Sequence, residues 1–424
     1  MKVLMYGWEF PPFISGGLGT ACYGITKGLL ENEVEVTFVL PTKKGKGIQS
    51  SIKILGADEI PLVGDILELG KRLKMLNVEF GASISPYSTS ATLNKFYNKY
   101  NLNDKMTWVN GSILDFMGDY GENLLSEVMK YTLVSESLCY IEEFDVIHAH
   151  DWLTFPAGVR TKQLSGKPLV VHVHATEFDR CGNNINQEVY NIEKYGMENA
   201  DKIIAVSYYT KRILEEHYGI DPDKIEVVHN AVNKERQIER YNISRNLEEK
   251  IVLFLGRVTM QKGPEYFIEA ANLVLKEVKN VRFVMAGSGD MMPHMISRMA
   301  ELKIADKFHF TGFLRGVDVE KMYAMSDLYV MPSVSEPFGI TPFEALLYDV
   351  PIIISKQSGV SEILKHAIII DFWDVQKLAN NIIAVLKDEE LSKNIVKNCM
   401  EELKNIEWHS AGSKLKNVYY SILN

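Results

Sequence analysis

Residues 251–278 read IVLFLGRVTMQKGPEYFIEAANLVLKEV. Five apolar residues run unbroken to Gly256. A turn carrying Arg257 and Lys262 follows, and from Pro264 the apolar positions recur at helical spacing. An unbroken apolar run suits a strand covered on both faces, and strand, turn and helix in this order form the unit of a parallel α/β sheet. The rhythm continues downstream. Strands are expected at Ile251–Gly256, Val281–Ala286, Phe308–Thr311, Leu328–Met331, Pro351–Ile354 and Ala367–Ile370. Helices are expected at Pro264–Val278, Met291–Leu302, Val317–Met325 and Thr341–Tyr348, with amphipathic helices closing the chain. Upstream, Asn233 to Lys250 is polar, charge-rich and without an apolar period, which reads as a linker. Before it the same alternation occurs a first time. Its strands are Lys2–Gly7, Val34–Leu40, Phe144–His148, Pro168–His174, Lys202–Val206 and Ile225–Val228, and its helices Leu18–Leu30, Asn123–Ile141 and Tyr208–His217. One large open sheet would also alternate in this way. The charged linker and the restart favour two Rossmann-like domains, residues 1–232 and 233–409.

Composition agrees with an ordinary globular chain of two or three domains: 424 residues, 46% hydrophobic and 24% charged. The formal net charge of −9 makes general nucleic-acid binding a poor fit. No apolar run approaches the roughly 18 residues of a membrane span, and the short run after Met1 does not make a signal-peptide core. Cys22, Cys139, Cys181 and Cys399 are scattered without a C-x-x-C, as expected of reduced thiols in a cytoplasmic enzyme. Residues 57–120 break the rhythm and carry Tyr87, Phe96, Tyr97, Tyr100 and Trp108 among polar neighbours. This insertion is either a surface excursion with its own small core or an aromatic platform for a polar polymer such as a glycan.

Five stretches carry chemistry. Ser15-Gly16-Gly17-Leu18-Gly19 joins the first strand to the first helix, where glycines admit a ligand close to the backbone and the helix N-terminus suits a diphosphate. It is not G-x-G-x-x-G, which weighs against a nicotinamide cofactor. His148-Ala149-His150-Asp151-Trp152 lies at a strand end. Its two histidines lack an adjacent third ligand, so a sugar-hydroxyl contact from Asp151 is expected in preference to a metal. His174, in Val173-His174-Ala175-Thr176-Glu177, is either a satisfied core histidine or a site residue. Arg257 offers a fixed fork of donors and Lys262 a mobile charge, which together with a helix N-terminus make a diphosphate clamp. Glu336 lies in a turn set by Pro337 and Gly339, and Glu344 about one helical turn into the next helix. Two such carboxylates can hold two different hydroxyl groups. Paired carboxylates also occur in glycosidases, but a hydrolase has no need of a phosphate clamp. Gly287-Ser288-Gly289-Asp290 adds a close-approach turn. Asp221-Pro222-Asp223, the one D-x-D, sits in a turn before a strand and is discounted.

In combination and in this order, these pieces resemble retaining glycosyltransferases of the GT-B fold: two Rossmann-like domains facing each other across a cleft. The likeness is nearest to glycosyltransferase family 4 and the glycogen and starch synthases. Glu336 and Glu344 match the family's E-x7-E, and the opening WEFPPFISGGLG, HAHDW and HATEFDR match glycogen synthase-like enzymes. The resemblance implies a nucleotide-sugar donor, a glucan or other carbohydrate acceptor, and no catalytic metal or cofactor. Gly16 and Gly17 would meet the diphosphate, and Arg257 and Lys262 would neutralise it. Glu344 would take the ribose, Glu336 the donor sugar, with Gly339, Ile340 and Thr341 beside them. His174 would lie by the anomeric carbon and Asp151 on the acceptor side. Gly287, Gly289 and the backbone near Thr311-Gly312-Phe313 would frame the base. The loop Ser358-Gly359-Val360-Ser361-Glu362 would lie near the phosphates, and a last helix, 410–424, would cross back onto the first domain. Starch synthases carry a Lys where this chain has Ile14, which places ADP-glucose preference in question.

Overall fold

The computed structural model describes residues 1–12, 16–43, 52–63, 113–118, 120–121, 123–232 and 248–423. The five aromatics of the insertion, Ser15 and residues 233–247 lie outside them. Two parallel sheets form from the two rhythmic halves. The first contains β1 (Lys2–Tyr6), β2 (Glu35–Leu40), β3 (Lys53–Gly56), β4 (Val146–His150), β5 (Leu169–Val173), β6 (Lys202–Ala205) and β7 (Ile225–Val227), in the order β3-β2-β1-β4-β5-β6-β7. The second contains β8 (Lys250–Leu255), β9 (Val281–Ala286), β10 (Phe308–Gly312), β11 (Leu328–Met331), β12 (Ile352–Ser355) and β13 (Ile368–Ile370), in the order β10-β9-β8-β11-β12-β13. Strand order reverses between β1 and β4 and again between β8 and β11. In open parallel sheets the crevice beyond the strand C-termini at such reversals takes the ligand.

The central strands are buried on both faces because helices cover both sides. In the first half these are α1 (Gly17–Glu31), α2 (Leu124–Ile141), α3 (Phe155–Ser165), α4 (Glu177–Cys181), α5 (Gln187–Asn199) and α6 (Tyr208–Tyr218). In the second they are α7 (Pro264–Glu277), α8 (Met292–Leu302), α9 (Val317–Met325), α10 (Thr341–Leu347), α11 (Val375–Lys387) and α12 (Glu389–Leu403). The last helix, α13 (Trp408–Leu423), packs on α1 of the first half. Glycines allow that approach: a Cβ at Gly24 would lie 2.0 Å from the Trp408 ring, and one at Gly28 2.0 Å from the Trp408 carbonyl oxygen. Asn32 donates to the His409 carbonyl at 2.9 Å and Lys416 to that of Asn32 at 2.7 Å, tying the two helices at their ends.

Several local expectations shift. β4 begins at Val146 instead of Phe144 and runs on to His150, because its register sets Val146 opposite Val3 while the Asp145 carboxylate accepts the Lys2 N–H at 2.8 Å. The stretch read as a linker is already anchored at Glu249, which accepts from Arg282 and Lys307, both at 2.7 Å. The ends of the insertion belong to the first domain's core, since Ile60, Leu62, Leu114 and Phe116 are buried in it.

Candidate active site

The C-terminal ends of β1, β4 and β5 form one wall. Beyond β1, Gly16 and Gly17 begin α1. Gly16 is the N-cap residue with no side-chain cap, α1 has no acidic residue in its first turn, and both glycines are exposed. Uncapped N–H groups at a helix start are donors waiting for an anion. Asp151 follows β4 with φ of 57°, a left-handed conformation. One carboxylate oxygen accepts from the backbone N–H of His174 at 2.6 Å and of Ala175 at 3.4 Å. Asp151, read as a contact for a sugar hydroxyl, uses part of its hydrogen-bonding capacity to hold the turn that carries His174. Burial pushes its carboxyl up to about 7, against the opposing pull of those N–H groups and of Arg180. His174 Nε2 is 2.9 Å from His150 Nδ1, while its Nδ1 is buried without a partner among the described residues. Burial depresses His174 to about 3, so the ring is neutral.

The opposite wall comes from β8, β9 and β11. Arg257, exposed after β8, has no ion-pair partner among the described residues. Lys262 lies in a one-turn 3₁₀ helix, Met260–Lys262, whose Gln261 carbonyl accepts from Val334 at 2.9 Å and from Ser335 at 3.4 Å. That pairing brings Lys262 Nζ to Glu336 Oε2 at 2.5 Å, and Ser333 Oγ donates to the same oxygen at 3.3 Å. The Glu336 backbone is fixed as well: its N–H donates to the Gln357 carbonyl at 2.9 Å and its carbonyl accepts from Gly359 at 3.0 Å. The expected division, Lys262 on phosphate and Glu336 on sugar, thus starts from a single ion pair. Glu344 stands in the first turn of α10, after Ile340 and Thr341, and accepts from the Tyr323 hydroxyl at 3.1 Å. Gly339 needs its freedom, with φ of 97° beside Glu336. Gly287 and Gly289 make a close approach, but to protein. A Cβ on them would lie 1.8 Å from the Gly256 carbonyl oxygen and 2.2 Å from that of Val258, so they clamp their turn onto the Arg257 turn.

The walls touch mostly through residues that sequence reasoning did not assign. Thr176 and Asp179 form a capping box on α4, and Asp179 also accepts from Ser335 Oγ at 2.5 Å, next to Glu336. Tyr209 meets the same Ser335 hydroxyl at 3.0 Å, and Ser207 Oγ donates to the Pro337 carbonyl at 2.6 Å. Glu362, expected near phosphates, instead accepts the N–H groups of Tyr208 and Tyr209 at the start of α6, at 2.9 and 2.5 Å, and bonds His229 at 3.1 Å. The S/T-x-x-D pattern at 176–179 announces a cap. Nothing in the sequence announces that its acid reaches the other domain. The reading that His148 and His150 lack a third potential ligand is also overturned, because β5 brings His172 alongside them and α1 brings Cys22 to His150 and His174. Asp221 of the D-x-D caps the turn Pro222–Lys224, its side chain accepting from the Asp223 N–H.

This arrangement matches known proteins along its whole length. A family model described as glycosyl transferases group 1 matches residues 235–401, and one described as glycosyltransferase family 4 matches residues 128–236. An uncharacterized glycosyltransferase of Methanocaldococcus jannaschii is 30% identical over 437 residues, covering 99% of this chain and 98% of its own. The chain belongs to the GT-B glycosyltransferases. This glycosyltransferase is also 22% identical to the glycogen synthase of Mycobacterium tuberculosis over 427 residues, covering 99% of this chain and 94% of that one. Among solved structures, sucrose-phosphate synthase from Thermosynechococcus elongatus superposes with a TM-score of 0.70 at 16% identity, covering 99% of this chain and 98% of that one, and so shares its fold. No helix among the described residues is long and apolar enough to cross a membrane.

Proposed function

We propose that the enzyme is a retaining, glycogen synthase-like hexosyltransferase that moves glucose from ADP- or UDP-glucose to a glucan acceptor. The observation that carries the reading is the Lys262–Glu336 pair, with exposed Arg257 on one side and Glu344 eight residues on. A cation already paired to the sugar-binding carboxylate can turn to the diphosphate as the donor enters. Arg257 and the α1 N-terminus supply the remaining positive charge from the two walls. Charge placed where it develops on the leaving diphosphate lowers the barrier without a protein nucleophile. Neutral His174 is suited to hydrogen-bond a sugar hydroxyl and not to supply a proton. Closure of the walls through Asp179–Ser335 and Glu362 would exclude water from the donor. In this account a donor phosphate oxygen takes the acceptor proton, and no metal or cofactor is needed. The absence of the synthases' Lys at Ile14 favours a second reading, a family 4 enzyme with another nucleotide-sugar and a small or lipid-linked acceptor.

The test is nucleotide release from ADP-glucose, UDP-glucose and GDP-mannose, each with and without glycogen. Glycogen-dependent release from a glucose donor is expected. Release from GDP-mannose alone, or from none of the three, would overturn the first reading.

A further inference from the structure

The first sheet carries four imidazoles on one face. His148 and His150 stand two apart on β4, and His172 and His174 two apart on and just beyond β5, so period two points all four the same way. Sheet register sets His150 beside His172. The rings stack with centroids 4.4 Å apart for His148–His150 and 4.3 Å for His172–His174. The transfer reading uses only His174. From α1, buried Cys22 enters the cluster, and its sulfur, a ring nitrogen of His150 and a ring nitrogen of His174 all lie within 4.8 Å of one another. His150 Nδ1 and His174 Nε2 face each other at 2.9 Å, and the other nitrogen of each ring is buried and unpartnered among the described residues. Atoms sharing one Zn²⁺ stand roughly 3–4 Å apart, given bonds of about 2.0 Å to nitrogen and 2.3 Å to sulfur. A closure of about 1–2 Å at most therefore brings these three into range.

We propose that Cys22, His150 and His174 form a site for a thiophilic cation of the Zn²⁺ class, whose occupancy withdraws His174 from the donor pocket. Two imidazoles and a thiolate are a ligand set suited to this ion, and three protein ligands leave a fourth position open. The protons balance. Whichever ring donates in the His150–His174 hydrogen bond moves that proton to its own unpartnered nitrogen, freeing both facing nitrogens for the metal. The Cys22 thiol proton leaves to solvent, so one proton is released per ion bound. A second grouping, His148, His150 and His172, is the weaker candidate. It has no thiolate, and His148 is engaged on both nitrogens, with Tyr419 and with His172.

Zinc chloride titrated into the purified full chain, followed by calorimetry in two buffers of different ionisation enthalpy, tests the site. One saturable Zn²⁺ per chain with one proton released is expected, weakened about tenfold or more in Cys22→Ala. Alanine suits this position because buried Cys packs as a small apolar residue. Should that variant fail to fold, His150→Asn carries the same expectation. No saturable binding to the wild type, or binding within twofold of it in the folded variant, overturns the site. The effect on turnover rests on the transfer reading and is measured separately. Zn²⁺ should suppress nucleotide release by the wild type and leave Cys22→Ala, active without metal, unaffected. Zn²⁺ held at this site with turnover unchanged would refute the role given to His174, while a chain inactive on every donor would leave the binding data to decide the site.

Discussion

Replacing Lys262 by Ala removes the cation that neutralises Glu336. The two ends of this pair are unequally buried: the Glu336 side chain is 10% exposed and that of Lys262 21%. In Lys262→Ala the carboxylate stays in its pocket, held at 3.3 Å by the Ser333 hydroxyl. Leaving a buried charge without its partner costs about 3 kcal/mol. In a domain of 150–250 residues that lowers the melting temperature by roughly 6–12 °C. Glu336→Gln should cost less, because Lys262 can swing toward water and the new amide can still bond Ser333. Thermal unfolding of the two variants, compared with the wild type, reads the asymmetry directly. Nucleotide release should fall by about a hundredfold or more in each, in line with loss of one donor to a developing oxyanion or of a sugar contact. Lys262→Ala melting within 1 °C of the wild type, or Glu336→Gln melting below Lys262→Ala, would refute the reasoning about this pair.

Three further outcomes follow from contacts elsewhere. Asp179→Asn should lower kcat about tenfold while leaving the donor KM within about twofold, because Asp179 acts on Glu336 through Ser335 and makes no donor contact of its own; steady-state kinetics on both parameters checks this. Gly28→Ala gains about 1 kcal/mol of helix propensity but forces a Cβ to 2.0 Å from the Trp408 carbonyl oxygen, and overpacking of that kind costs about 1–3 kcal/mol or more, so its melting temperature should fall. Burial raises the Glu362 carboxyl, but His229 and the Tyr208 and Tyr209 N–H groups outweigh it and hold the group below its ordinary value of 4.5. Its stabilising contribution is therefore present above pH 4.5 and lost as pH falls through the lowered value, so the stability gap between wild type and Glu362→Gln should narrow in acid.

What the sequence reveals follows from which forces are local. β1 beyond Lys2, β8 beyond Lys250 and the whole of β11 are unbroken apolar runs, and their expected and observed bounds agree to within a residue. α3 escaped because its buried face is Phe155, Ala157, Gly158, Val159 and Thr161, mostly small residues that fit against the sheet without forming an apolar stripe. β3 has four residues and buries only alternate ones, too short for a pattern to stand out. In the candidate site, Arg257 and Lys262 stand out in the sequence because they follow a strand end, and Glu336 and Glu344 because of their turn residues and their spacing. The ion pair between two of them does not, since it depends on Val334 and Ser335 bonding the Gln261 carbonyl, a contact between segments more than 70 residues apart. The histidine cluster shows the same limit: the alternation is visible within each strand, but only the β4–β5 pairing and the placement of α1 bring the rings and Cys22 together.

The central claim is that both walls grip one diphosphate, and a crystal structure with bound UDP or ADP tests it most directly. The account expects the phosphates within hydrogen-bonding reach of Arg257, Lys262 and the backbone at Gly16–Gly17. Phosphates lodged away from all of these would contradict it.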